Sequence, residues 1–392
     1  MMLRWATRSG ARLAGGFSGS LLPVRGLSSA ETASWEDLAL RAVEPNPLAE
    51  AHCVIPAARH QPFGAEVVLA AVWERGHLVA CVPLRTVRRW YTLAYPVAAN
   101  QVRRSTYVGT PLLDASCAEE AAVALLELIA GKRRDLGARL LGLDSLRLGG
   151  PVETVLRRGA QRLGLACSPW ESWERGYLLR RSQNAYAAHL SGRFRAHLRK
   201  QRRQLEEHLG APSVVRDRAG DPTVIEQFIA LEAAGYKATT IALAAAPGEP
   251  QYFTEMCRRF TAQQRLHALT LECGGVTVAI LIALRAERGL FLIKGAYDER
   301  YRRFGPGTLL HAAFFDFFHD HTDAAWVDTC ASPNNATLLK LYPDRTEMST
   351  LLFSLGTLSD GLFVSNLSSI RAGYRRIKRV ARVLAAPKEV RG

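Results

Sequence analysis

Leu290-Phe291-Leu292-Ile293-Lys294, then Tyr297-Asp298-Glu299-Arg300-Tyr301-Arg302-Arg303, then Phe304-Gly305-Pro306-Gly307-Thr308 running on to His321, decide how this chain is read. An apolar run predicts a strand, the charged cluster a turn, and Gly-Pro-Gly before a long apolar run predicts the start of a helix. A strand, a glycine turn and a helix start aim unpaired backbone N–H groups and the positive end of a helix dipole at one spot. That spot suits a phosphate or pyrophosphate. Pro306 brings no N–H of its own, so a plain turn is the competing reading.

Working outward, residues 266–272 and 276–284 flank Cys273-Gly274-Gly275 and predict a hairpin that feeds the 290–294 strand. A further strand is expected at 325–329. Upstream lie a helix over 253–260 and another that begins at Asp221-Pro222 and ends at Gly235, a natural residue for the position after a helix. Before them Leu190, Phe194, Leu198, Leu205 and Leu209 recur at helical spacing, with Arg193, Arg195, Arg199, Lys200, Arg202 and Arg203 between them. This basic amphipathic helix reads equally as a solvated face or as a face for phosphates and acids.

The first half repeats the alternation of strands and helices. Ser34-Trp35-Glu36-Asp37-Leu38 reads as an N-cap and first turn, closed by Glu44-Pro45-Asn46-Pro47. Strands over 66–73 and 77–84 make a hairpin, followed by a helix over 118–130 and a strand over 140–146. Residues 167–184 are aromatic and irregular, and the domain boundary is placed there. The fold class that follows is α/β (α+β), with mixed, mainly antiparallel sheets flanked by helices.

With 392 residues, 48% hydrophobic and 22% charged, the chain has room for two ordinary cores. No apolar run reaches membrane-spanning length. A net charge of +15 points to anionic partners: phosphorylated cofactors, nucleic acid or an acidic membrane surface. Seven cysteines without a C-x-x-C pair indicate neither a disulfide framework nor a zinc site, and a reducing compartment. Residues 1–32 carry Arg4, Arg8, Arg12 and Arg25 and are set apart from the fold as a disordered or targeting segment. The expected location is cytoplasmic, or mitochondrial if this segment is a transit peptide. His319-Asp320-His321 does not place two imidazoles on one helix face, so no metal is expected. Residues 361–392, with Arg371, Arg375, Arg376, Lys378, Arg379 and Arg382 among apolar positions, form a basic tail that either lies on an anionic membrane or packs on the domain.

These motifs resemble a known family. Phe194-Arg195-Ala196-His197-Leu198-Arg199-Lys200-Gln201-Arg202-Arg203 is similar to the arginine-rich helix of the GNAT-type acetyltransferases typified by the cellulose-biosynthesis protein CelD. Leu231-Glu232-Ala233-Ala234-Gly235-Tyr236-Lys237 resembles that family's Leu-Glu-x-x-Gly-Trp-Lys motif, and Lys294 to Tyr301 its Lys-x-x-Tyr-Asp-x-x-Tyr segment. Arg302-Arg303-Phe304-Gly305-Pro306-Gly307 fits the pyrophosphate loop of the GNAT superfamily. Ala238 replaces the usual glycine after the lysine, and Gly305 stands where Ser is common.

The resemblance implies two tandem GNAT-like domains, over 33–180 and 181–360, related in plan to the Fem peptidyltransferases that use aminoacyl-tRNA. The second carries the cofactor loop, and Val108-Gly109-Thr110 is the first's nearest relic. It further implies an acyl-CoA-dependent N- or O-acyltransferase, using acetyl-CoA and an amine or hydroxyl acceptor, in envelope or polysaccharide metabolism. Arg302, Arg303, Gly305, Gly307 and Thr308 would hold the cofactor. Glu232 or Asp298 would serve as base and Tyr342, seven residues after Asn335, as acid, with Lys237, Lys294 and Tyr297 toward the acceptor. Two alternatives stand beside it: a Fem-like transferase with a tRNA-borne donor, and a non-catalytic GNAT-like scaffold.

Overall fold

The computed structural model describes residues 10–100, 102, 107–235, 242–332 and 335–367. The first half runs β1 (Gly10–Arg12), β2 (Ser18–Pro23), α1 (Ser29–Arg41), α2 (Ala51–His60), β3 (Val68–Glu74), β4 (His77–Val87), β5 (Val97–Ala99), β6 (Leu112–Leu113), α3 (Ala118–Gly131), β7 (Leu140–Arg147), α4 (Pro151–Arg162) and β8 (Cys167–Leu179). The second runs α5 (Gly192–Leu209), β9 (Ser213–Asp217), α6 (Val224–Ala234), α7 (Glu249–Ala262), β10 (Leu266–Cys273), β11 (Val276–Ala286), β12 (Gly289–Tyr297), α8 (Pro306–His321), β13 (Trp326–Asp328), α9 (Ala336–Leu341), β14 (Asp344–Ser354) and α10 (Leu358–Ser365).

Local chemistry explains the turns. The two-residue link between β3 and β4 places Arg75 and Gly76 at φ 49° and 87°, and that between β10 and β11 places Gly274 and Gly275 at 58° and 79°. Both are the left-handed pairs that match strand twist in tight hairpins. α5 is capped by Ser191, whose side chain accepts from the Phe194 N–H, and ends at Gly210 with φ 68°.

The strands form one sheet in the order β1-β2-β3-β4-β5-β7-β14-β8-β13-β12-β11-β10-β9, with β6 beside β4. Among the described residues only β5 with β7 and β12 with β13 pair in parallel. The mainly antiparallel, helix-flanked α/β architecture is as expected.

Four expectations are corrected. Residues 10–32 are not set apart: β2 pairs along β3 from Ser18↔Trp73 to Pro23↔Val68, and Leu21 and Leu22 are buried. Helix α1 therefore starts earlier, at a capping box between Ser28 and Glu31 rather than at Ser34. The aromatic stretch assigned to a boundary is the 13-residue strand β8; its charges hid the pattern, and Arg175 is tolerated inside because it pairs with Asp328. The division at residue 180 fails for β14, which pairs with β7 and β8 and sends Leu351 and Phe353 into the first half's core. No helix among the described residues is long and apolar enough to cross a membrane. Most of the basic tail lies outside the described residues.

The halves meet where α2 packs on α7. Arg265 grips the buried Glu50 with two hydrogen bonds of 2.8 and 2.6 Å, and His60 Nε2 lies 2.7 Å from Glu255.

Candidate active site

β12 diverges from β13. The two pair only from Gly289↔Trp326 to Phe291↔Asp328, and Leu292 onward leaves that partner. On its other edge β12 gains a residue against β11: Ile282 faces Lys294 while Ala283 faces Leu292, so Ile293 is a bulge. A bulge bends a strand and re-aims its side chains. Here it brings Lys294 to α6 and leaves Gly295 and Tyr297 lining the opening between β12 and α8.

Asp298 then caps a 3₁₀ turn, Glu299–Phe304, by accepting from the Arg300 N–H at 3.0 Å. The Arg300 guanidinium also holds both carboxylate oxygens, and these hydrogen bonds keep the Asp298 carboxyl below the usual range. Tyr301 and Phe304 turn into the core, which leaves the loop above them open. Gly305 takes φ 61° to join the turn to α8. Pro306 occupies the first helical position, where a missing N–H costs nothing. The N–H groups of Gly307 and Thr308 have no acceptor within the helix and stand at its positive end.

They border a cleft of about 300 Å³ that is also lined by Tyr297, Arg302, His311, Asn335 and Thr337. A Cβ on Gly307 would lie 3.3 Å from the Tyr297 ring, so any side chain there crowds this wall. A smaller crevice lined by Glu232, Glu299 and the same Gly295, Ala296 and Tyr297 adjoins it. There the buried Glu232 accepts from Lys294 Nζ at 2.5 Å and from the Leu243 N–H at 2.8 Å.

The fold thus gathers Arg302, Gly305, Gly307, Thr308 and Tyr297 at one cleft and Glu232 with Lys294 beside it. Arg303 does not join them: it turns to His208 Nδ1 at 3.3 Å and stacks over Phe304. Tyr342 is fully buried beneath the cleft, and burial pushes its phenol well above the ordinary range. Its hydroxyl meets the cleft through His311, whose Nδ1 lies 3.0 Å from the phenol oxygen. Lys237 lies outside the described residues. His311 was not singled out from sequence; its i+4 spacing from Gly307 is a signal that could have found it.

In the first half, described residues that follow the parallel pair β5·β7 are tied to the backbone by hydrogen bonds. Asn100 bridges to the Asp144 backbone at 3.0 and 3.2 Å, and the Gly109 N–H donates to Ser145 at 3.1 Å. Val108 and Thr110 line a separate cleft of about 350 Å³ with Glu44, Arg147 and Asp328. Burial drives the thiols of Cys81, Cys117, Cys167, Cys257 and Cys273 upward, to about 12 for Cys167, which disfavours the nucleophilic thiolate in each. Among the described residues no three His, Cys, Asp or Glu side chains are grouped to hold a metal.

Residues 192–334 match the family model of an acetyltransferase (GNAT) domain. Among solved structures, FemX superposes with TM-score 0.56 at 10% identity, over 81% of this chain and 95% of that one. The C-terminal domain of a putative lysylphosphatidylglycerol synthetase from Agrobacterium fabrum gives 0.50 at 12%, over 87% and 97%. L-PGS from Bacillus licheniformis gives 0.50 at 11%, over 86% and 95%. At these identities the likeness is one of fold. No curated protein matches in sequence.

Proposed function

We propose that this chain, whose residues 192–334 form a GNAT acetyltransferase domain, is an acyl-CoA-dependent N- or O-acyltransferase with acetyl-CoA as donor. The observation that carries the reading is the pair of N–H donors at Gly307 and Thr308, beside Arg302, at the mouth of a cleft running along the diverging β12. A pyrophosphate meets there the donors, dipole and guanidinium that anions need. The thioester supplies an activated carbonyl. The chain's residues orient and shield it: Gly295 to Tyr297 line the cleft, and Glu232 with Lys294 faces the acceptor side.

Glu232 is the base in this reading, taking the acceptor's proton while Lys294 steadies its charge. Asp298 serves instead to hold the turn, which it caps at the Arg300 N–H, and it lines neither the cleft nor the adjoining crevice. The acceptor is an amine or hydroxyl; a role in envelope or polysaccharide chemistry rests on the CelD-like motifs.

A tRNA-borne donor is the second reading, favoured by α5. Arg202 and Arg203 pair with Glu206 and Glu207, while Arg193, Arg195, Arg199 and Lys200 are exposed. Thermal melts separate the readings. Stabilisation by acetyl-CoA that is lost in Gly307→Trp or Arg302→Glu supports the first. A salt-sensitive shift with tRNA and none with acetyl-CoA supports the second, and no response to either supports a scaffold.

A further inference from the structure

We infer that His311 is the hydrogen-bond donor that stabilises the departing CoA thiolate, with Tyr342 as its positioning residue; this rests on the acyl-CoA reading above. His311 lies one turn of α8 below Gly307 on the same face, about 5 Å further along the helix axis. It lines the same cleft as Gly295, which lies just past the bulge in β12. A donor whose pyrophosphate sits at Gly307 and Thr308 and whose arm follows β12 inward passes His311 before it reaches the Glu232–Lys294 pair. The acid expected from sequence, Tyr342, has no surface on the cleft.

The phenol explains the imidazole. Tyr342 is buried among apolar residues, including Phe315 and Leu341, and its hydroxyl lies 3.0 Å from His311 Nδ1. Burial keeps that phenol protonated, and its O–H has no other acceptor among the described residues, so it donates to Nδ1 and leaves the ring proton on Nε2. The rings meet nearly edge-on, at 80°, which fixes the imidazole's orientation. The step balances without a proton from His311. The acceptor's lone pair forms the new bond to the acyl carbon, the C–S bond breaks and its electron pair goes to sulfur. The acceptor's proton goes to the base, and the thiolate, held by Nε2–H, then takes a proton from water. Preorganised donors of this kind act where charge develops in the transition state.

Bound CoA provides a readout independent of any acceptor. The thiolate absorbs in the far ultraviolet, so the thiol of CoA bound to the full chain can be titrated by difference spectra against desulfo-CoA. Arg302 and the α8 dipole also favour a thiolate, so the comparison is between wild type, His311→Leu and Tyr342→Phe. The expected result is a bound thiol titrating at least about one pH unit below free CoA in wild type. His311→Leu returns it toward the free value and Tyr342→Phe gives an intermediate shift, each read against desulfo-CoA bound to the same variant. A bound thiol that titrates like free CoA, or a depression that survives in both variants, overturns the inference. Failure of wild type to bind CoA at all overturns the acyl-CoA reading itself. Should His311→Leu not fold, Tyr342→Phe carries the test alone: an unchanged thiol overturns the inference.

Discussion

Glu232 and Lys294 are 62 residues apart in sequence and share one proton-sized gap in the fold. Removing one partner of a buried ion pair leaves the other charge uncompensated, at a cost of about 3–5 kcal/mol. Glu232→Ala also orphans the Leu243 N–H. Its urea midpoint is expected to fall accordingly, with Glu232→Ala/Lys294→Met recovering part of the loss; an unchanged midpoint would contradict the buried pair. At Gly305 the constraint is on the backbone. Alanine there must hold φ 61° and places its Cβ 2.9 Å from the Gln201 amide. Left-handed geometry costs an L-residue about 1–2 kcal/mol, so Gly305→Ala is expected to lower the Tm, and Gln201→Ala in the same chain to relieve only the contact. Neither constraint is visible in sequence. Glu232 entered through a motif and Gly305 through a spacing, but their partners are set by packing.

At the scale of elements, the 3₁₀ turn and α8 work as one unit. Asp298 caps the turn, and its pKa is depressed chiefly by hydrogen bonds from Arg300. A carboxylate depressed in the folded state contributes stability above its unfolded pKa, near about 3.9, and loses that contribution as pH falls through the folded value. Donor affinity should therefore hold from neutral pH down to about 4 and fall below it as the turn loosens. Asp298→Asn should weaken binding at neutral pH and flatten the acid limb, as read by acetyl-CoA titration at stepped pH. The strand-turn-helix order was legible because each signal is local: apolar alternation, a turn cluster, and Gly-Pro-Gly at a helix start. The divergence of β12 from β13 and the bulge at Ile293 were not, because both depend on which strand lies alongside.

For the whole molecule, one sheet crosses the expected boundary. β14 lies between β7 and β8, so each half completes its core with strands from the other. Glu50 and Arg265 add a buried pair across the α2–α7 contact. A single cooperative unfolding transition is expected, with Arg265→Leu shifting it by about 3–5 kcal/mol rather than splitting it. Two separate transitions would show the halves to be independent. Chains ending at residue 180 are expected not to fold, since β7 and β8 would lose β14. By itself the sequence determined α3, α5, α6, α7 and α8, the hairpins, the mainly antiparallel class and the glycine turn before α8, because those follow from residues within a few positions of one another. Only the tertiary structure decided that residues 10–32 join the sheet, that Arg303 turns away while His311 enters the cleft, and that Tyr342 is buried. Side-chain direction and strand partnership are set by which apolar surfaces close on each other, and no local pattern encodes that.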